Sequence, residues 1–146
     1  MPLATLLVLA GCFLAADQVK ENAVARDVEA LQGSWLFILQ SKEVVDGVEK
    51  ELTAQGRIII THVGFHMFIR RDGEYREYSK GLFKIDTTTT PKSIDFQPFV
   101  AESPTLGIYE LNGNTLQICI ADMPKDNRPK QFKPTRDLWL MTLQKE

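Results

Sequence analysis

Two sets of residues have the types and spacing that chemistry would need. His62 and His66 stand four apart, a spacing that on a helix would turn both imidazoles to one face and begin a zinc site. Val63-Gly64 between them reads instead as a chain reversal, and no Cys or paired carboxylate completes a ligand set, so polar surface or turn roles are expected and no metal or other cofactor. The second set is Lys125, Arg128, Lys130, Lys133 and Arg136, which gather positive charge in one Pro-containing loop relieved only by Asp126. A loop of this kind can hold an anionic head group, a phosphate or an acidic polymer. Its plainer reading is a solvated loop, because clustered charge is by itself a weak signal.

Nucleophilic chemistry has little to start from. The only cysteines are Cys12 and Cys119, which excludes a disulfide framework, and Cys119 has no His or Asn partner nearby in sequence. No Gly-x-Ser-x-Gly and no phosphate-cradling loop occurs, so an enzyme is not expected. The aromatics Trp35, Phe37, Phe68, Tyr75, Tyr78, Phe83, Phe96 and Tyr109 have the bulk to line a pocket or to fill a core.

At 146 residues with a net charge of -2 and both signs interspersed, the chain is one domain's worth and lacks the strongly basic face that nucleic acid would require. Residues 1–16 carry no charged side chain and are shorter than the about 20 apolar residues that cross a bilayer. They read as a secretory signal. Within them Leu9-Ala10-Gly11-Cys12 resembles the bacterial lipobox, whose Cys is acylated and begins the mature chain; ordinary cleavage after Ala15-Ala16 and a mis-called start stay open beside it. Either processing route implies export to the cell envelope, as a membrane-anchored lipoprotein or as a periplasmic or secreted protein, with the membrane met only through an anchor at Cys12. Residues 17–30 read as a linker ending in a short helix, since Val24, Val28 and Leu31 keep helical spacing.

The domain over residues 31–146 is read through its turns. Asp46-Gly47, Asp72-Gly73 and Asn112-Gly113 each separate apolar-alternating runs, the strongest local signal for a β-hairpin. At the last of them a type I′ turn centred on Asn112-Gly113 would set Tyr109 and Leu111 beside Leu116, Ile118 and Ile120, whereas a three-residue loop would bring Leu106 and Ile108 there. Strands are expected over 36–45, 57–61, 65–71, 74–86, 93–97 and 137–144 besides that hairpin, with a turn of helix over 49–55 and a bulge or kink at Gly81. Phe99 and Val100 are expected to fold over one end. The last strand is apolar on both sides, as pairing with the first strand beneath a helix would require. About eight short-linked strands without a parallel crossover predict an all-β, antiparallel, up-and-down barrel with a short N-terminal helix.

Gly33-Ser34-Trp35 at the head of the first strand and Arg136 near the last resemble the closed end of the lipocalins, in which a C-terminal Arg lies over the Trp of a Gly-x-Trp motif. Over nearly the whole mature chain, Leu31-Gln32-Gly33-Ser34-Trp35, Pro91-Lys92-Ser93-Ile94-Asp95, the run from Leu106 to Leu116, and Arg128-Pro129-Lys130-Gln131-Phe132 resemble the landmarks of a lipocalin-like family of uncharacterised exported proteins best known from planctomycete bacteria. The resemblance implies a lipocalin-like barrel, with Gly33, Trp35 and Arg136 as its structural motif, and no set activity. Two functions stay open: a binding module for a small apolar or amphipathic ligand, and a structural or interaction protein that contacts other envelope components through a solid-packed barrel.

Overall fold

The computed structural model describes residues 2–122 and 127–146, with side chains from Asp17 onward. A helix, α1 (Pro2–Leu31), leads into eight strands: β1 (Gly33–Val45), β2 (Val48–Ile60), β3 (Gly64–Arg71), β4 (Glu74–Asp86), β5 (Lys92–Pro98), β6 (Thr105–Asn112), β7 (Thr115–Ala121) and β8 (Leu138–Lys145). Each strand pairs antiparallel with the next, and β8 pairs with β1 from Trp35↔Lys145 to Gln40↔Leu140, so the sheet closes. The chain is an all-β, lipocalin-like barrel of eight strands with an N-terminal helix. The helix begins well before the short segment expected next to Leu31, and it includes all of residues 17–30, the stretch expected to be a linker ending in a short helix.

Alternation decides which side chains enter. Trp35, Phe37 and Leu39 of β1, Ile58 and Ile60 of β2, Leu116 and Ile118 of β7, and Met141 and Leu143 of β8 all lie in one buried cluster. The two Asp-Gly hairpins carry φ values of 53° and 77° at Asp46-Gly47 and 53° and 78° at Asp72-Gly73, the double positive φ of a type I′ turn. The third hairpin differs from its expectation. Asn112 pairs with Thr115, so the central residues are Gly113 and Asn114, and only Gly113 has a positive φ, as in a type II′ turn. The slide by one residue at each side preserves the faces, and Tyr109 and Leu111 lie opposite Ile118 and Leu116.

Other expectations yield to pairing. Glu49 to Gln55 is strand rather than helix, because it is held along its length by β1, from Val44↔Glu49 to Ile38↔Gln55. Its weak apolar pattern has a plain cause. Pairing of β2 with β3 begins only at Gly56, so most of this part of the hairpin extends past the barrel, and within it only Ala54, opposite Leu39, packs against the core. The bulge falls at Tyr78, skipped between Met67↔Ser79 and Phe68↔Glu77, and not at Gly81. Gly81 is needed for close approach instead, since a Cβ there would lie 2.0 Å from the Gln97 carbonyl oxygen of β5. Phe99 and Val100 do not fold over an end; they are 64% and 99% exposed on the β5–β6 loop.

The outer side of β8 is covered in its first half, by a strap and not by α1, while Thr142 and Gln144 further along it are exposed. Leu140, with Ile108 and Cys119, packs under Phe132 and Leu138 in a small outer cluster. The strap from 127 to 137 is fastened to strand ends through Lys42 N–H to the Thr135 carbonyl, 3.2 Å, and Asp122 N–H to the Asp137 carbonyl, 2.8 Å.

Candidate functional site

The two ends of β6 separate two environments. At the Tyr109 end the helix seals the barrel. Trp35, wholly buried, donates from Nε1 to the Leu31 carbonyl at 2.8 Å, and the Tyr109 hydroxyl donates to Asp27 Oδ2 at 2.6 Å. Lys92 Nζ donates to the same carboxylate oxygen at 2.8 Å. Burial, followed by the bond to Asp27, pushes the Tyr109 phenol far above its ordinary range, so it stays a donor.

The cation over Trp35 is Lys145, with Nζ 5.3 Å from the ring centroid and 3.2 Å from the Ala30 carbonyl. Arg136 does not take that part. Antiparallel pairing sets Lys145 against Trp35 and the start of β8 toward the far end of β1, where Arg136 sits exposed beside Lys42 and Glu49. Gly33, at φ 126°, makes the bend from helix to strand.

At the Thr105 end a cavity of about 330 Å³ opens to solvent. Its walls include Phe65 and Met67 from β3, Tyr78 from β4, Phe96 from β5, Ile120 from β7 and Trp139 from β8. Phe65 and Phe96 meet edge to face with centroids 4.9 Å apart. Tyr78 and Trp139 come from opposite sides of the eight-strand circuit, yet their ring centroids are 6.1 Å apart. The bulge brings this about, because the extra residue re-aims the Tyr78 side chain. Ser79, Thr105 and Asp122 add polar groups to the lining. Partial burial pushes the Tyr78 phenol up; Asp122 pushes it further, and Arg71 opposes with a smaller effect. The ring therefore stays neutral.

Few of the sequence candidates converge here. Of the eight aromatics read as pocket-forming, only Tyr78 and Phe96 line the cavity, while Trp35 and Tyr109 belong to the sealed end. Trp139, Phe65 and Met67 read in the sequence as alternating core, and only the stagger of strand ends tells a mouth residue from a middle one. The basic residues scatter. Arg128 bonds Asp95 and the Gly107 carbonyl on the outer wall, Lys130 is exposed, Lys133 sits with Arg136, and Lys125 lies outside the described residues. Arg128 also borders a polar pocket of about 350 Å³ between α1 and the wall, where Lys20, Lys84 and Arg128 are faced by Asp86 and Asp95. His66 bonds Glu77 at 3.0 Å and His62 lies 3.9 Å from Glu29, each histidine with its own carboxylate. No group of three metal-ligating side chains occurs among the described residues. Cys12 lies in the part of α1 whose side chains are outside the described ones, and no described helix is long and apolar enough to cross a membrane.

A rim of exposed charge completes the surface near the sealed end. Arg57 donates from Nε and Nη2 to the two carboxylate oxygens of Glu146, each at 2.8 Å, and Ser34 donates to the same carboxylate. These bonds hold the Glu146 carboxyl below the usual range. No family model matches the chain, and the search of curated proteins finds no match. What the cavity can do therefore follows from its geometry.

Proposed function

We propose that this chain is an exported, lipocalin-like binding module that takes one small apolar or amphipathic ligand in the cavity at the Thr105 end of the barrel. The observation that supports it is a mainly apolar recess of about 330 Å³ with a few polar groups at its edge. That volume is at the low end for ligand sites, which run from about 300 to 1,000 Å³. Beneath it Ile94, Ile118 and Met141 fill the interior, so the ligand is short and the reading assigns the site no reaction.

Titrating a panel of fatty acids and aromatic probes tests the reading, because Trp139 forms part of the wall and Trp35 is sealed at the other end. Saturable quenching or enhancement is expected at micromolar concentrations, weaker than about -8 kcal/mol. Ser79→Phe, which fills the recess, should abolish it. Absence of any response, in a chain whose Trp139 emission is detectable, would favour the second reading, a structural or interaction protein of the envelope. The exposed Phe99 and Val100 at the rim support that alternative.

The resemblance of residues 9–12 to a lipobox supports delivery to the envelope with Cys12 acylated. Membrane partition that is lost in Cys12→Ala is the expected result. A soluble mature chain beginning at or after Ala16 would overturn the anchor.

A further inference from the structure

The β1–β2 ribbon is longer than the barrel needs. Both strands run 13 residues, yet β8 pairs with β1 only from Trp35 to Gln40 and β3 pairs with β2 only from Gly56 onward. The far half of the ribbon therefore stands clear as an arm that ends at Asp46-Gly47. With Trp35, Phe37 and Leu39 buried, alternation sets Leu36, Ile38 and Val44 on the outer face of β1, where they are 38%, 51% and 46% exposed. Exposed aliphatics scattered singly are ordinary, whereas these three share one face of one strand.

The two halves of that face differ in charge. At the barrel half a groove of about 380 Å³ is lined by Leu36, Ile38, Gln55, Tyr75 and Arg70, the last being the only charged side chain in its lining. Arg70 has no ion pair among the described residues; its contact is the Tyr75 ring, with the centroid 5.9 Å away. Arg57, on the other hand, also lies against Tyr75 and is answered by Glu146. On the arm half the outer face carries Glu49 and Glu51 against Lys42, which pairs with Glu49 at 3.2 Å. Lys133 and Arg136 of the strap, with Asp137, border Lys42 and Glu49, while Glu51 has no ion pair among the described residues.

The arm cannot cover its own groove. Val44 and Ile38 are six residues apart on one strand, about 20 Å, and unbroken pairing from Gly33↔Ile60 to Val45↔Val48 keeps the ribbon from folding back. A second copy can cover it. A two-fold axis crossing the ribbon at Ser41 and Leu52, which pair with one another, stacks two outer faces antiparallel. Val44 then lies over Ile38 of the other copy, Lys42 over Gln40, Glu51 over Thr53, and Glu49 over Gln55, beside which Arg70 follows the Ile69 that pairs with Gly56. Aliphatic meets aliphatic, carboxylate meets arginine, and no like charges are opposed.

We propose that the chain forms a two-fold dimer in which the outer faces of the β1–β2 ribbons stack and each arm covers the groove of the other copy. Both junctions form together and close on themselves, so association stops at two. The dimer is independent of what the cavity at the Thr105 end holds.

Sedimentation velocity over a range of micromolar concentrations, on the full chain carrying Cys12→Ala, should show a monomer–dimer equilibrium. Arg70→Glu, which sets a carboxylate against Glu49, should weaken it at least about tenfold. Ile38→Cys combined with Val44→Cys puts two thiols about 20 Å apart within one copy but across a stacked-sheet spacing of about 10 Å between copies. A short bismaleimide that spans only the second distance should join the double variant into a covalent dimer and leave each single variant unjoined. All three substituted side chains are exposed, and thermal melts would check that the variants fold. A chain that stays monomeric, a dimer that Arg70→Glu leaves as tight, or one that the cysteine pair fails to lock would overturn the stacked ribbons.

Discussion

The sealed end and the open end of this barrel are built from the same residue types and behave as opposites. Each has a tryptophan, a tyrosine and an aspartate. At the sealed end Trp35 is wholly buried with its N–H bonded, and the Tyr109 hydroxyl is bonded to Asp27. At the open end Tyr78 is 49% exposed and Trp139 half-buried, and both line a recess that opens to solvent. What separates the ends is the helix. Where α1 supplies a backbone carbonyl and a carboxylate, every polar handle of the aromatics is satisfied and the interior becomes core. Where only loops close the barrel, the same side chains are left with unfilled contact surface, which is what a ligand site requires.

Substitutions can break that contrast, and the tryptophans should do so most. Trp35→Ala is expected to cost about 3–5 kcal/mol, the range for emptying a buried large aromatic site. Trp139→Ala should cost clearly less, since its ring already borders a void. Comparing the two denaturant midpoints measures the difference; equal losses would mean the ends are equally structural. The next effect lies in the latch. Asp27→Ala strands a buried tyrosine hydroxyl and should cost about 1–3 kcal/mol, and adding Tyr109→Phe should return part of that loss. A double-mutant cycle showing no coupling would detach the helix from the seal. Smallest is the cation over Trp35. Lys145→Ala should cost about 0.5–2 kcal/mol, while Arg136→Ala should stay within about 0.5 kcal/mol, as exposed positions usually do. The reverse ranking in thermal melts would restore Arg136 to the role its place in sequence suggests.

Local chemistry made much of this legible. Two Asp-Gly turns and the alternation around them are enough to predict hairpins, and hairpins in series without crossovers predict an up-and-down barrel. What escaped depends on relations between strands. Glu49 to Gln55 looks unlike a strand because most of it pairs outside the barrel and only Ala54 reaches the core. Gly113-Asn114 could not be told from Asn112-Gly113, because a slide that preserves parity leaves every apolar face intact. The register of β8 against β1 placed Lys145, and not Arg136, over Trp35. The mouth was hidden for the same reason: Phe65, Met67 and Trp139 follow the inward alternation of core residues, and the stagger of the barrel decides which of them meets a neighbour and which meets a gap. The single residue that breaks the alternation, Tyr78, is the one whose ring crosses to meet Trp139.

The buried thiol under the strap gives the molecule an internal clock. Cys119 lies on the outer wall with no exposure, its Sγ 3.9 Å from the Lys133 carbonyl, and burial raises it above the ordinary thiol range. A reagent that modifies only exposed thiolates would reach it on a detachment of the strap from 127 to 137 alone, without the barrel interior having to open. In a chain whose Cys12 is acylated or replaced, labelling of Cys119 faster than global unfolding is therefore the expected outcome, and its rate at low reagent concentration would count detachments of that one surface segment.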